Sequence, residues 1–345
     1  MRTIENLPTP PSNKSGWPWN KPNPILLKTM ANGSDWPKIS IVTPSYNQGE
    51  FIEETIRSVL LQGYPNLEYI IIDGGSTDNT VDILKKYEDY ISYWVSEPDG
   101  GQSHALNKGF QKATGDLIGW QNSDDYYAPG VFQYIAEVSQ ICDADVFYGT
   151  VDVINNDRNV MLTLGVQDFE LEKMLPLFNL GNQSMFFRSK IFEDGLYISE
   201  KFDHFMDFDF FWRLIINEYI FCFVAQSHGY LRIHDKTKGT NQIDKASKEL
   251  FETYKTPYLD DEKNVIPIEF KKKLLKAMKS VCLDNFAKSR DSIFRNQVRQ
   301  IITISGWKFI DIDLYLKYLV SYLGLGATLQ KTKRILKIPP SVYNI

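Results

Sequence analysis

Two adjacent carboxylates, Asp124 and Asp125, follow a short apolar run that ends at Trp120. The run predicts a β-strand, so both carboxylates lie where a strand ends and a loop begins. In an α/β sheet, ligands collect at the carboxyl ends of the strands. Paired oxygen ligands in that place suit a hard divalent cation that grips a diphosphate. A solvated acidic turn is the alternative interpretation.

The ends of two earlier predicted strands also carry polar groups. The first strand leads into Pro44, Tyr46, Asn47 and Gly49, where backbone amides can approach a ligand and Tyr46 can stack on a base. Many strand-to-helix turns look similar, so this signal is weak by itself. The second strand ends at Asp73 after three isoleucines. A buried carboxylate is costly without a partner, and a base or ribose would supply one, although a capped turn is an alternative.

Charged and amide groups crowd the segment after the third predicted strand, residues 97–109, which includes Asp99. Ordinary N-capping explains part of this composition. Further along the chain, Asp207 and Asp209 lie in the first turn of a predicted aromatic-rich helix, where the helix dipole favours their charged forms. Residues two apart do not share a helix face, so at most one of them points at a given site. His234 ends an alternating, strand-like segment, and a lone histidine is usually structural.

Apolar strands alternate with helical patterns from Lys38 to about Tyr148. The predicted strands are 39–42, 69–72, 93–95, 117–120 and 145–148, and the predicted helices are 51–60, 81–87, 103–112 and 131–142. This βαβα order predicts an α/β fold with a mostly parallel sheet and right-handed crossovers. A further helix is predicted over 208–219, and a strand over 230–234.

The chain divides into three predicted parts. Residues 1–37 contain seven prolines and predict an extended arm, which Trp17 and Trp19 could pin to the body. Residues 38–244 form the α/β domain. Residues 245–345 predict a helical, locally basic extension, with Leu314, Tyr315, Tyr318, Leu319 and Tyr322 on one stripe and Lys331, Lys333, Arg334 and Lys337 beyond it.

Composition excludes several classes of protein. The net charge of −5 argues against a general nucleic-acid binder, which would normally carry a basic patch. Neither a signal peptide nor a long apolar span is visible, so we expect a soluble, cytoplasmic protein. Cys142, Cys222 and Cys282 stand far apart without metal-ligand spacing. We interpret them as small buried hydrophobes in a reducing compartment.

The ordered set of motifs resembles the inverting family 2 glycosyltransferases of bacteria, which have the GT-A fold and use nucleotide-diphosphate sugars. The resemblance covers roughly residues 38–240. It rests on Thr-Pro-Ser-Tyr-Asn at 43–47, Ile-Asp-Gly-Gly-Ser-Thr-Asp-Asn-Thr at 72–80, Asn-Ser-Asp-Asp at 122–125 and Met-Asp-Phe-Asp-Phe-Phe-Trp-Arg-Leu at 206–214. Each motif alone is weakly specific, but the order is highly specific.

The resemblance implies roles for individual residues. Those of the donor nucleotide pocket would be Pro44, Tyr46, Asn47, Asp73, Asp99 and Ser123. The segment 122–124 matches the family's Asp-x-Asp triplet with Asn122 in its first position, so the Mn²⁺ or Mg²⁺ cofactor would be held by Asp124, Asp125 and His234. Gln183 would face the donor sugar or the acceptor. Asp207 would be the general base, although Met206 replaces the Glu that usually precedes it.

The implied partners are a nucleotide-diphosphate sugar, with UDP as the expected nucleotide, and a glycan or lipid-linked acceptor. We expect a role in surface polysaccharide synthesis. The C-terminal helices would be either a structural cap or a surface for peripheral contact at the inner face of a membrane. The remaining alternatives are a sugar nucleotidyltransferase and a non-catalytic carbohydrate-binding protein on the same fold.

Overall fold

The computed structural model describes residues 7–21, 23–24, 26–165, 169–171, 180–235, 237, 243–262, 265–306 and 310–322. The chain forms two compact units, Met1–Asn241 and Gln242–Ile345. Among the described residues, no helix combines the length and the apolar character that crossing a membrane requires.

Four parallel strands form one half of the sheet in the first unit. They are β1 (Ile39–Ser45), β2 (Leu67–Asp73), β3 (Tyr93–Ser96) and β4 (Leu117–Trp120), in the spatial order β3-β2-β1-β4. The register pairs Ser45 with Asp73 and Asp73 with Ser96, so three strands end at the same level. The continuous apolar runs of β1 and β2 suit strands that are covered on both faces. The βαβ prediction is therefore confirmed, and it gathers the polar strand ends at one edge.

The second half of the sheet is mixed. Its strands are β5 (Tyr126–Tyr127), β6 (Val146–Ile154), β7 (Val160–Leu164), β8 (Phe186–Arg188) and β9 (Phe221–Arg232). The order continues as β4-β8-β6-β9-β5, with β7 beside β6. β8 runs antiparallel to both β4 and β6, whereas β6 and β9 are parallel. The predicted strand at 230–234 overlaps the end of the long β9, which stops at Arg232, so His234 lies two residues beyond the strand.

Helices cover the sheet of the first unit. They are α1 (Ile52–Leu60), α2 (Thr80–Tyr87), α3 (Gln102–Lys112), α4 (Val131–Ile141), α5 (Lys190–Glu193) and α6 (Met206–Ile216). α6 starts two residues before its predicted start and ends before Tyr219. The reason for the early end is Glu218, whose φ of 62° is left-handed and cannot continue a helix.

The proline-rich arm, which is part of the first unit, packs on α1 through a buried arginine. Arg57 of α1 is 1% exposed and donates hydrogen bonds to the carbonyls of Pro18 (3.2 Å) and Trp19 (2.6 Å). Trp17 Nε1 donates to the carbonyl of Tyr127 at 2.8 Å. The Arg57 contacts give hydrogen-bond donors to carbonyls of the arm, which lie outside the sheet. The Trp17 contact holds the arm against the end of β5.

The second unit is helical over its described residues, as predicted. Its helices are α7 (Ile243–Thr253), α8 (Thr256–Leu259), α9 (Ile268–Ala287), α10 (Asp291–Ser305) and α11 (Ile312–Tyr322). On α11, Leu314 is buried, whereas Tyr315, Leu319 and Tyr322 are exposed. The predicted basic run at 331–337 lies outside the described residues.

Candidate active site

The loops after β1 and β2 are joined by hydrogen bonds. Asn47, at a left-handed φ of 53°, donates from its backbone to Ser76 Oγ at 2.7 Å. Its Oδ1 accepts the backbone N–H of Thr77 at 2.8 Å. Pro44 is buried in β1, whereas Tyr46 is 61% exposed. These hydrogen bonds therefore hold the loops after β1 and β2 together, and the Tyr46 side chain is exposed on their surface.

Asp73 is completely buried at the end of β2, and its carboxylate has protein partners. It accepts hydrogen bonds from Ser76 N (2.9 Å), Ser76 Oγ (2.6 Å) and Ser96 Oγ (2.6 Å). Two serines thus meet the hydrogen-bonding need that makes a buried carboxylate costly. They also fix the orientation of its oxygens at the strand end.

Asp99 lies against the loop after β2, beside Gly74. Its Oδ1 accepts the backbone N–H of Gly101 at 2.7 Å. A Cβ on Gly74 would come within 3.1 Å of Asp99 Oδ2, so the glycine permits this close approach. The structure therefore brings Asp73 and Asp99, which the sequence separates, to adjacent loops.

The carboxylate of Asp125 is enclosed by N–H donors. Its Oδ1 accepts from Arg232 N at 2.8 Å, and its Oδ2 accepts from Gln183 Nε2 at 2.6 Å and Asn122 Nδ2 at 3.2 Å. Burial, and then the neighbouring Asp124 charge, raise the pKa of Asp125 to about 7. The side chain is 3% exposed and is oriented into the protein. Gln183, whose Nε2 donates to Asp125, is likewise buried, at 1% exposure.

Asp124, in contrast, lies at a partly open position. Its Oδ2 is 3.1 Å from His234 Nε2, and the Asp124 side chain is 22% exposed. The Phe51 ring packs on His234 with 4.6 Å between ring centroids, which holds the imidazole in place. Within the part of the chain that the structure describes, no group of three His, Cys, Asp or Glu side chains forms a complete metal cage. Protein atoms here offer two converging ligands.

Asn122 does not turn its side chain oxygen toward Asp124. Its Oδ1 accepts from Trp120 Nε1 and from Gln102 Nε2, each at 2.9 Å. The following residue, Ser123, is 4% exposed, and its carbonyl accepts Thr55 Oγ1 at 3.0 Å. These bonds connect the turn after β4, residues 122–125 (the β4 turn), to α1 and to the start of α3.

The start of α3 also holds the segment that leads into α6. Ser103 Oγ lies 2.9 Å from the Met206 sulfur and 3.2 Å from the carbonyl of Phe202. Because the preceding residue, Gln102, binds Asn122, the start of α3 bridges the β4 turn and the first turn of α6. Met206, next to Asp207, and Asn122, two residues before Asp124, thus both contact the first turn of α3.

The two carboxylates of α6 have different surroundings. Asp209 Oδ2 forms an ion pair with Arg213 Nε at 2.8 Å, and the Asp209 side chain is 6% exposed. Asp207 is partly exposed and accepts a hydrogen bond from Phe208 N at 2.9 Å. Burial raises the pKa of Asp207 to about 6. A carboxylate with a raised pKa is suited to take a proton near neutral pH.

Sequence reasoning missed a buried ion network next to the β4 turn. Glu54 of α1 pairs with Arg232 at 2.9 Å and also with Arg158. The Arg232 guanidinium lies over the Phe51 ring, 4.9 Å from its centroid. Since the backbone of Arg232 binds Asp125, this network positions the acidic turn. The one available signal was the alternation of 230–234, which predicts Arg232 and His234 on one face of a strand.

Comparison with known proteins bears directly on this arrangement. Residues 40–198 match the family model described as "Glycosyl transferase family 2". The chain contains a family 2 glycosyltransferase domain. The match includes the loops after β1 to β4 and Gln183, and it ends before Asp207 and His234.

Relatives and solved structures support the domain and its fold. The glycosyltransferase domain is similar to the putative teichuronic acid biosynthesis glycosyltransferase TuaG of Bacillus subtilis, at 42% identity over 27% of this chain and 38% of that protein. It is also similar to the glycosyltransferase GlyG of Streptococcus pneumoniae, at 32% identity over 39% of this chain and 46% of that protein. The chain thus spans less than half the length of these relatives.

Two solved structures share the GT-A fold across most of the chain. TarS 1-349 of S. aureus, in complex with UDP-GlcNAc, superposes with a TM-score of 0.65 at 16% identity, over 86% of this chain and 91% of that one. The mannosyltransferase PcManGT of Pyrobaculum calidifontis, in complex with GDP-Man and Mn²⁺, gives a TM-score of 0.53 at 16% identity, over 93% and 92%. At this identity the likeness establishes the fold.

Proposed function

We propose that this protein is a metal-dependent, inverting glycosyltransferase that moves a sugar from a nucleotide-diphosphate sugar to a hydroxyl of an acceptor. The observation that carries the proposal is the pair of available carboxylates, Asp124 and Asp207, at either side of the start of α3. Asp124 is paired with a histidine, and burial raises the pKa of Asp207 to about 6. One group is thus fitted to hold a cation and the other to accept a proton.

Asp124 and His234 are the proposed protein ligands of Mn²⁺ or Mg²⁺. Their converging oxygen and nitrogen atoms, 3.1 Å apart at a partly open position, fit a cation that takes its remaining ligands from substrate phosphates and water. Asp125 would support the turn rather than contact the ion, because three N–H donors occupy its carboxylate. When bound, the cation would neutralise negative charge on the departing diphosphate.

Asp207 is the proposed general base. The acceptor hydroxyl would lie beside its carboxylate, which takes the proton as the hydroxyl oxygen forms a bond to the anomeric carbon. The bond from that carbon to the diphosphate oxygen breaks in the same displacement, and the nucleoside diphosphate leaves with the bonding electrons. A single displacement inverts the anomeric centre. A retained anomeric configuration, measured by NMR of the product, would contradict this mechanism.

The joined loops after β1 and β2 are the proposed nucleotide pocket. Its residues would be Pro44, Tyr46, Asn47, Asp73, Asp99 and Ser123. The exposed Tyr46 ring offers a surface on which a base can stack, and Asp73 is held in a fixed orientation at the strand end. Because TarS is solved with UDP-GlcNAc and PcManGT with GDP-Man, the fold accommodates either nucleotide. UDP remains our expectation for this chain.

The proposed acceptor is a glycan or a lipid-linked glycan of a surface polysaccharide. The similarity to TuaG, named for teichuronic acid biosynthesis, supports this class. We further propose that the protein works in the cytoplasm with peripheral contact to the inner face of the membrane through its C-terminal helices. Leu316 and Leu319 of α11 are 55% and 44% exposed, and an apolar face of this kind suits insertion at a lipid surface.

Two experiments test these proposals. Purified protein would be screened with UDP-, GDP- and dTDP-sugars by thermal shift and by donor hydrolysis, with Mn²⁺ and with EDTA. Binding without hydrolysis or transfer, under all metal conditions, would favour a non-catalytic carbohydrate-binding protein. Sedimentation with anionic vesicles would compare the full chain with its Leu319→Asp variant. Equal sedimentation would leave the C-terminal helices as a structural cap.

A further inference from the structure

Two of the three cysteines are in direct contact. Cys142 Sγ and Cys222 Sγ lie 2.9 Å apart, although 80 positions separate them in the chain. Both cysteines are partly exposed, and their sulfur atoms are not joined by a disulfide bond. Cys282 is fully buried in α9, as the sequence predicted for all three. Cys142 and Cys222 are only partly buried, although both pack against the hydrophobic core.

The backbone at each cysteine is held in place. Cys142 caps the C-terminus of α4, and its amide donates to Val138 O at 2.9 Å. The Arg188 guanidinium donates to the carbonyls of Ser139 (2.9 Å) and Cys142 (3.1 Å), which orders this helix end. Cys222 lies in β9 and is paired with Phe147 of β6. The two sulfur atoms are therefore presented to one another by ordered elements.

We propose that Cys142 and Cys222 form a redox-modification site, which closes to an intramolecular disulfide by exchange with a low-molecular-weight disulfide such as oxidised glutathione. A disulfide bond is about 2.0 Å long, so the sulfur atoms need to approach by less than 1 Å. Cys222 is ten residues from Arg232 along β9. At the rise of a strand this is roughly 30 Å, so the site is separate from the proposed donor site and independent of the proposed function.

The exchange balances in two steps. The thiolate of one cysteine attacks a sulfur of oxidised glutathione, forms a mixed disulfide and expels one glutathione thiolate. The second cysteine, after losing its proton, attacks the protein sulfur of that mixed disulfide and expels the second glutathione. Two protein thiols are oxidised, one small disulfide is reduced to two thiols, and the protons leave with the glutathione. Reduced glutathione reverses the reaction.

The contact between the two thiols determines how readily the disulfide should form. The second step is intramolecular, so the bond should form at an oxidised-glutathione concentration roughly 10²-fold lower than that which modifies either single-cysteine variant. The crosslink also closes a loop of 80 positions, which restricts the unfolded chain. Oxidation should therefore raise the melting temperature of the first unit's unfolding transition.

The full chain would be equilibrated with graded ratios of oxidised to reduced glutathione, quenched in acid, alkylated under denaturing conditions and mapped by mass spectrometry. We expect a Cys142–Cys222 crosslink, an alkylated Cys282 and a higher melting temperature. The Cys282→Ser variant should behave identically, whereas Cys142→Ser and Cys222→Ser should give a glutathione adduct and no such rise. Alkylation of both cysteines at every ratio, or mixed adducts without a crosslink, would overturn the proposal.

Discussion

Asp124 and Asp125 are neighbours after β4, whereas Asp207 and Asp209 lie two residues apart in the first turn of α6. In both pairs, one carboxylate is fixed inside the protein and the other is left accessible. Asp125 accepts three N–H groups, and Asp209 is paired with Arg213. Asp124 and Asp207 are partly exposed.

Each acidic pair thus combines a structural carboxylate with one that is available for chemistry. The fixed member holds the local backbone through bonds to distant segments, such as Arg232 and Gln183 around Asp125. The bonds of the fixed member thereby help to position the accessible member, whose own oxygens are not enclosed: Asp124 contacts His234, and Asp207 accepts from Phe208 N. The accessible carboxylate comes first in both pairs, and only the spacing differs: its partner is the next residue in the turn and two residues away in the helix.

Replacing the accessible carboxylate of α6 should have the largest effect. Asp207→Asn keeps the size of the side chain but removes the proton acceptor, so turnover should fall by roughly 10²–10⁴-fold. Donor affinity should stay near that of the unaltered protein, because the base acts on the acceptor. Steady-state kinetics and calorimetric titration of the donor would measure both.

Asp209→Asn is the matched control for that substitution. It alters the neighbouring carboxylate of the same turn, which is occupied by Arg213. If Asp209→Asn lowered turnover more than Asp207→Asn, with both proteins folded by circular dichroism, the base would be Asp209 and the division within the α6 pair would be wrong.

The acidic turn after β4 offers the second test. Asp124→Ala removes a proposed metal ligand, so the apparent affinity for Mn²⁺ in the presence of donor should fall by more than the roughly 10–100-fold typical of losing a supporting partner. Asp125→Asn should cost about that smaller amount, because the amide that replaces the carboxylate cannot accept all three N–H donors. Metal titration of donor binding, starting from EDTA-treated protein, would rank the two. Unchanged metal affinity in Asp124→Ala would remove Asp124 from the site.

The parallel half of the sheet was predictable from the sequence because its strands are continuous apolar runs with helical patterns between them. Local chemistry also predicted that Asp73 needs a partner, and the serines of its own motif and of β3 supply it. Helix spacing already predicted that at most one carboxylate of the α6 pair points at the site, but the sharing of roles between Asp124 and Asp125 was not predictable. Arg232 and Gln183 reach Asp125 across 107 and 58 positions, and such distant hydrogen bonds leave no local pattern.

The mixed half of the sheet was harder to predict for a related reason. β8 has three residues and β5 has two, which is too short for a clear alternation of polar and apolar side chains. Glu54 and Arg158 likewise look like ordinary surface charges in the sequence. Only the structure shows that Glu54 is buried and pairs with both Arg158 and the buried Arg232.

The raised pKa of Asp207 predicts the pH dependence of turnover. With a pKa of about 6, the carboxylate is mostly ionised above that pH and protonated below it. The kcat/KM should therefore be level near neutral pH and fall about tenfold per unit below pH 6. A profile from pH 5 to 8 would measure this, and a decline that began only near pH 4 would contradict the assignment.

The same pKa has an opposite consequence for stability. The folded pKa of Asp207 lies above its ordinary value of 3.8, so between these values the folded state binds more protons than the unfolded state. The stabilising contribution of protonated Asp207 is complete below about pH 3.8 and is lost as the pH rises through about 6. Asp207→Asn should remove this contribution, which urea denaturation at several pH values would reveal.

Asp209→Asn should have the smallest effect on activity and act on stability instead. It replaces the charged partner of Arg213, whose Nε bond of 2.8 Å is largely shielded from solvent. We expect the free energy of unfolding to fall by about 1–3 kcal/mol, the usual cost of leaving a buried polar group poorly paired. Because Arg213 also donates to the carbonyl of Tyr197 at 2.7 Å, the loss should loosen the segment before α6 without removing the base. Urea denaturation would give the change in stability, and turnover close to that of the unaltered protein would separate the fixed carboxylate from the accessible one.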